Sequence, residues 1–104
     1  MASQSTQLSA AIALVQLLTE RPDLSEHMSW TVSRTSPVLV GYIHDGGVQV
    51  LDDCMKFLGG SVRADHTYEI GGERMRQHVL TSTWRDVRVE VLLSLPVAAE
   101  AVAA

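Results

Sequence analysis

Four histidines supply the side chains best suited to metal binding or to proton transfer near neutral pH. They are His27, His44, His66 and His78. A zinc site needs three or four converging ligands, and the sequence has no CxxC, HxxxH or HExxH spacing. With a three-residue loop between their strands, His66 and His78 become cross-strand neighbours. Together with Tyr68 they define a candidate pocket or metal site between the sheet and the second helix, which we call the alternative pocket. The simpler interpretation is two packed or hydrogen-bonded strand histidines, so no metal or cofactor is expected.

A catalytic nucleophile is not apparent. The single cysteine, Cys54, falls in the middle of a predicted helix on or beside its apolar stripe, and neither a helix N-terminus nor a cation is near enough in sequence to activate it. The serines have no GxSxG or Ser-x-x-Lys context, and the carboxylates are scattered rather than paired. We therefore expect Cys54 to be a core residue, and we expect no catalytic residue and no enzymatic activity.

A glycine pair and a group of arginines could bind anions. Asp45-Gly46-Gly47 joins a strand to a helix, but it lacks the GxxxxGK[ST] and GxGxxG patterns of phosphate loops, so Asp45 is predicted to be an ordinary helix N-cap. The arginines are expected near the third hairpin, as a solvated face or as a contact for an acidic partner: Arg63, Arg74, Arg76 and Arg85.

Length and composition indicate one folded domain over residues 1–104, with flexible tails at 1–5 and 97–104. Leu, Val, Ile and Phe supply 29 of the 104 residues, which excludes a disordered chain. The net charge of −4 disfavours sequence-independent binding to nucleic acid. A single cysteine fits a reducing cytoplasm, and no apolar stretch is long enough to span a membrane, so no membrane contact is expected.

Apolar periodicity and turn residues predict two helices and five strands. Apolar residues at helical spacing predict a first helix from Thr6 that ends before Pro22, capped by Ser3 or Ser5, and a second from Gly47 to Leu58. Residues 21–27 are predicted to be a loop anchored by Leu24. The strands are predicted at Met28–Arg34, Val38–Asp45, Ser61–Ile70, Arg74–Trp84 and Val87–Leu95, the last ended by Pro96. A two-residue turn between the first two strands predicts Trp30 opposite Gly41, where the missing side chain of the glycine makes room for the indole.

The Gly71-Gly72 turn poses a register problem. A two-residue turn places Glu69 opposite Arg74, but it puts the apolar residues of the third strand on the face opposite to Leu80. Burying several apolar side chains, at about 1.5 to 3 kcal/mol each, outweighs surface ion pairs worth about 0 to 1 kcal/mol. We therefore predict a three-residue loop with a glycine bulge, or a bulge further along the fourth strand.

The order α-β-β-α-β-β-β predicts an α+β two-layer sandwich, a mostly antiparallel five-stranded sheet with two helices on one face. The other face then carries apolar residues that two helices cannot cover: Val38, Val40, Tyr42, Val79 and Leu92. Such a patch is typical of association, and we expect a homodimer formed through this face or through an edge strand, with another protein as a further partner. The alternatives are the small-molecule or metal-binding domain described above, and an accessory transcription regulator, which the charge and the topology disfavour.

Several short motifs resemble a group of small α+β proteins of unknown function from GC-rich Gram-positive bacteria and their phages. They are Pro22-Asp23-Leu24, Trp30-Thr31-Val32, Leu39-Val40-Gly41-Tyr42-Ile43 and Phe57-Leu58-Gly59. The resemblance extends over about residues 8–95, and Ser25 stands where such proteins often have proline. It implies a fold and no catalytic residue, and it suggests an accessory role in a mobile element or in development.

Overall fold

A computed structural model describes residues 6–33 and 38–97 of the chain. The first helix, α1 (Thr6–Glu20), has the predicted bounds. Ala10, Ala13 and Leu17 are buried on one side of it, as the spacing predicts. The predicted caps Ser3 and Ser5, the turn at 35–37 and the tails at 1–5 and 98–104 lie outside the described residues.

The segment predicted as a loop contains one helical turn, α2 (Leu24–His27). Pro22 precedes this helix in the turn from Arg21 to Leu24, at the second turn position, where the fixed φ of proline is favoured. The Arg21 guanidinium holds the Asp23 carboxylate with two hydrogen bonds of 3.0 and 2.7 Å, and the backbone N–H of Leu24 donates to the Arg21 carbonyl. The predicted anchoring role of Leu24 is confirmed, since its side chain is buried.

The first hairpin consists of β1 (Met28–Val32) and β2 (Val38–Ile43). Its predicted register is confirmed, with Trp30 opposite Gly41 at the centre. A Cβ at Gly41 would lie 3.0 Å from two atoms of the Trp30 ring, so the glycine makes room for the indole as predicted. Strand β2 ends two residues before the predicted end at Asp45.

The second long helix, α3 (Gly47–Leu58), also has the predicted bounds. The predicted N-cap is wrong, because Gly46 occupies that position and makes no side-chain hydrogen bond. Asp45 instead accepts a hydrogen bond from the His27 ring, which draws its carboxylate away from the helix N-terminus. The helix ends at Gly59, whose N–H donates to the Met55 carbonyl over 2.8 Å.

The remaining strands are β3 (Ser61–Ile70), β4 (Glu73–Trp84) and β5 (Val87–Pro96). The strand order is β1-β2-β5-β4-β3, and β5 pairs in parallel with β2 and antiparallel with β4. The predicted α+β fold is confirmed, as a mixed sheet with a single parallel pair. Pro96 does not stand outside the sheet but is the last residue of β5, opposite Met75.

The register problem is solved in the third strand. Ile70 pairs with Glu73 across a two-residue Gly71-Gly72 turn, and the register shifts between Ala64 and Thr67. The three-residue loop and the bulge on the fourth strand are therefore both wrong. The turn has two residues because Gly71 and Gly72 both adopt the positive φ that such a hairpin turn requires. The bulge lies on β3 because β3 is an edge strand, where a bulge disturbs pairing with one neighbour only. On the N-terminal side of the shift, Val62 lies opposite the core residue Leu80, but its side chain is 39% exposed at the edge of the sheet.

The core lies between the two long helices and one face of the sheet. Leu39, Leu80, Val89 and Val91 supply its sheet side and are fully buried. Trp84 packs against this core, with its ring 5.2 Å from that of Phe57 and its Nε1–H donating to the Ala13 carbonyl over 3.0 Å.

Candidate interaction surface

Within residues 6–33 and 38–97, the helices pack on one face of the sheet and leave the other without a covering layer, and we call this second face the open face. Side chains alternate between the two faces of a strand, so its residues are those that alternate with core positions. Leu39, Val89, Val91 and Leu80 point toward the helices. The central part of the open face is formed by Val38, Val40, Tyr42, Arg88, Glu90, Leu92, Gln77, Val79 and Thr81.

The structure brings the five predicted interface residues together on this face. Tyr42 lies opposite Leu92, and Leu92 lies opposite Val79, so three apolar side chains form one row across three strands. Val38 and Val40 continue the patch along β2 and are half-buried. Val79 is only 2% exposed although it is not part of the core beneath the helices, whereas Tyr42 is 42% exposed.

Polar side chains flank the apolar row and pair within the chain. The Arg63 Nη1–H donates to Thr81 Oγ1 over 3.0 Å, and Arg88 Nη2 lies 2.9 Å from a carboxylate oxygen of Glu90. At the other end of the face, the hydroxyl groups of Tyr68 and Ser94 are hydrogen-bonded. These contacts satisfy polar groups locally, so a second surface can approach the row without leaving them unpaired.

The β3 edge of the sheet is less suited to pairing with another strand. The outer strand β3 carries the bulge at residues 65–66, which interrupts its register. It also carries Arg63, Asp65 and Glu69, all exposed. Bulges and charged side chains are devices that keep edge strands from pairing with other chains. The structure therefore favours the face over the β3 edge as a contact surface.

The alternative pocket of His66, His78 and Tyr68 is not formed. His78 lies opposite Ala64 rather than His66, because the bulge displaces His66 from the ladder. His78 shares its strand face with the core residue Leu80, whereas Tyr68 is hydrogen-bonded on the open face. Within residues 6–33 and 38–97, no three His, Cys, Asp or Glu side chains are grouped so as to hold a metal ion.

The predicted arginine cluster is dispersed. Arg85 lies in the β4–β5 turn, at the end of β4 away from Gly71 and Gly72, and pairs with Glu20 over 2.6 Å. Arg63 lies on the open face, whereas Arg74 and Arg76 lie on the other face of β4, opposite Glu69 and Thr67. Each arginine therefore acts in its own surroundings, and the four do not form a common site for an acidic partner.

Two histidine contacts near the start of β1 escaped the sequence analysis. His27 Nδ1 contacts the Asp45 carboxylate, and this hydrogen bond raises the pKa of His27. Ser29 Oγ is hydrogen-bonded to His44 Nε2. The predicted hairpin register, extended by one position beyond Met28, would have placed the two histidines opposite each other. A Ser–His pair resembles part of a nucleophilic site. Here, however, the carboxylate of Asp45 is hydrogen-bonded to His27 and not to His44, the partner of Ser29, and the side chains lie on the surface.

The predicted core position of Cys54 is confirmed. Its side chain is 0% exposed, and its Sγ lies 3.7 Å from the sulfur of Met28. Burial raises the pKa of the Cys54 thiol to about 11. Such a thiol stays protonated at neutral pH and is a poor nucleophile.

None of the helices within the described ranges has the length and apolar character needed to cross a lipid bilayer. Comparison of the chain with protein-family models, with curated proteins and with solved structures finds no match. The resemblance to small proteins of Gram-positive bacteria and their phages stays a prediction.

Proposed function

We propose that this protein is a non-enzymatic interaction module that forms a homodimer through the open face. The observation that carries the proposal is the row of Tyr42, Leu92 and Val79 across three strands of a face that no helix in the described ranges covers. Tyr42 and Leu92 supply the accessible surface of this row, since Val79 is only 2% exposed. Contiguous apolar patches on soluble proteins usually mark contact sites. Tyr42 is a large amphipathic side chain with 42% of its surface exposed, the type of residue that dominates binding energy at interfaces.

The size of the open face suits a second copy. Strands lie about 4.8 Å apart and rise about 3.4 Å per residue, so strands of 5, 6, 10, 12 and 10 residues give a face of roughly 700 Å². A standard protein interface buries about 800 Å² per partner. Two copies that stack by this face would form a sandwich with a second apolar layer between the sheets.

The charges on the open face are compatible with self-association. The Arg88–Glu90 ion pair closes within one chain, so this part of the face adds no net charge to the contact. Arg63 is held by Thr81 at the margin, where a charged side chain can stay solvated as the rim of an interface. The buried Cys54 takes no part in this assembly, so the dimer needs no disulfide. Such a dimer can form in a reducing cytoplasm.

The test introduces one positive charge on each of two surfaces. In Tyr42→Lys the charge lies on the open face, and in the matched control Val15→Lys it lies on the outer side of α1, where Val15 is 65% exposed. Sedimentation equilibrium at about 1 to 100 µM should give twice the chain mass of 11.3 kDa for the unmodified protein and for the control. Tyr42→Lys should weaken the dimer by at least about tenfold.

Three outcomes would overturn the proposal. The unmodified chain could sediment as a monomer throughout this concentration range, which would leave the face without a second copy as its occupant. Val15→Lys could dissociate the dimer while Tyr42→Lys leaves it intact, which would place the contact on the helical layer. Both variants could dimerise as tightly as the unmodified chain, which would place it at an edge strand.

A further inference from the structure

A solvent-accessible cleft lies where α3 meets the sheet. It has a volume of about 600 Å³ and is lined by Leu58, Gly60, Thr81, Ser82, Thr83 and Arg88. The cleft exists because α3 ends at Leu58 and the chain passes directly against β4. A Cβ at Gly60 would lie 2.1 Å from the Thr81 carbonyl oxygen. Volumes of this order are typical of small-molecule sites.

Hydroxyl groups and one guanidinium supply the polar lining of the cleft. Ser82 points toward the helical layer, and its hydroxyl donates to the Leu58 carbonyl over 2.8 Å, which ties the end of α3 to β4. Thr81 and Thr83 alternate with Ser82 and therefore lie on the other side of the strand. Thr83 is directly opposite Arg88 in the β4–β5 ladder, so these two residues are cross-strand neighbours on the same face.

Two arginines lie on either side of Thr81. Arg63 donates to the Thr81 hydroxyl oxygen over 3.0 Å, which leaves the hydroxyl proton of Thr81 able to donate to another acceptor. Arg88 lines the cleft, and its side chain is 55% exposed. Its Nη2 pairs with Glu90 over 2.9 Å, and a guanidinium with five N–H donors can serve a second acceptor.

We propose that this cleft binds a small oxyanion, the carboxylate or phosphate group of a metabolite-sized ligand. Arg88 supplies the charge, and Thr81 and Thr83 supply hydroxyl donors, an arrangement that matches the acceptor-only oxygens of such groups. Glu90 holds the Arg88 guanidinium in place and opposes a second negative charge, so the isolated anion binds weakly and the ligand's remaining atoms contribute contacts with Leu58. This inference goes beyond the proposed dimer and does not depend on it. Arg88 and Thr81 belong to the open face, however, so the anion and a second copy would compete for these two side chains.

The test is an amide NMR titration of the full chain, first with sodium phosphate and separately with sodium acetate, each against sodium chloride at matched ionic strength. We expect saturating shifts at the amides of Thr81, Thr83 and Arg88 at anion concentrations of about 1 to 10 mM. Arg88→Gln should weaken this binding by about tenfold. The matched control is Arg85→Gln, which removes the same charge from the adjacent turn and should leave binding unchanged.

The anion that saturates at the lower concentration identifies the ligand as a phosphate or a carboxylate compound. The proposal is overturned if neither anion gives saturating shifts at these residues, if Arg88→Gln binds as tightly as the unmodified chain, or if Arg85→Gln weakens binding equally. The last result would show general attraction to a basic surface. The same titration is run on Tyr42→Lys, because dissociation of the dimer would expose Arg88 and Thr81 to the anion. Absence of shifts from both proteins, rather than from the unmodified chain alone, refutes the anion site, whereas an unmodified chain that sediments as a monomer and shows the shifts refutes only the dimer.

Discussion

Two adjacent glycines after α3 give a matched test of how the chain passes β4. Gly59 and Gly60 both have positive φ, 77° and 93°. At Gly59 an added Cβ would meet nothing within 4 Å, whereas at Gly60 it would lie 2.1 Å from the carbonyl oxygen of Thr81. Both alanine variants therefore place a side chain at positive φ, which strains the backbone, and only the Gly60 variant adds a clash.

The expected losses of stability follow from these distances. A positive φ costs an L-residue about 1 to 2 kcal/mol, and the reduced freedom of the unfolded chain offsets about 0.4 to 1 kcal/mol of that. Gly59→Ala should therefore lower the free energy of unfolding by about 1 kcal/mol. The clash in Gly60→Ala is with backbone, which cannot rotate away, and overpacking adds about 1 to 3 kcal/mol. The Gly60 variant should thus be less stable than the Gly59 variant by about 2 kcal/mol.

Thermal and urea unfolding followed by circular dichroism measure this difference. For a domain of this size, about 2 kcal/mol corresponds to roughly 8 to 16 °C in Tm. Both variants must be compared at one protein concentration, because association makes Tm depend on concentration. Equal losses in the two variants would refute the reasoning, since they would mean that the chain at Gly60 can move away from Thr81 without loss.

Two further predictions concern titratable groups. Cys54 should react with iodoacetamide at neutral pH far more slowly in the folded protein than in urea, because burial raises its pKa to about 11; equal rates monitored by mass spectrometry would contradict its core position. The raised pKa of His27 gives stability that is present below its ordinary value of about 6.5 and is lost as the pH rises through the raised value. Removal of the partner carboxylate in Asp45→Asn should therefore lower Tm more at about pH 5.5 than at about pH 8.5, and an equal loss at both would show that the pair does not titrate with folding.

Much of the fold could be predicted because the signals are local. The two long helices are bounded by proline and by glycines, which act within a few residues of the chain. The hairpin register followed from matching Trp30 with Gly41, a pair close in sequence. The helical turn of α2 was missed because it has only four residues, too few to show an apolar period.

The bulge at residues 65–66 could not be located from the sequence. The pattern required a shift of one residue somewhere between the Gly71-Gly72 turn and the start of β3, and several positions meet that requirement equally well. A bulge is tolerated better on β3, which has one neighbouring strand, than on β4, which has two. Which strand lies at the edge depends on the strand order. The prediction of the alternative pocket was wrong for the same reason, because it required the register shift to lie in the turn, which would have placed His66 opposite His78.

The strand order was left open, yet β5 carried a signal for it. Its alternate residues from Val87 to Leu95 are all apolar, and Leu92 adds an apolar side chain on the other face, which is typical of a strand buried on both sides. Strand β3 has three charged residues in ten, Arg63, Asp65 and Glu69, and charged side chains are typical of an edge strand. The position of β5 decides the candidate surface as well, because only a central β5 joins Tyr42 of β2 to Val79 of β4 through Leu92. With β5 at an edge, the same five apolar residues would lie in two separate groups, neither large enough for a second copy to cover.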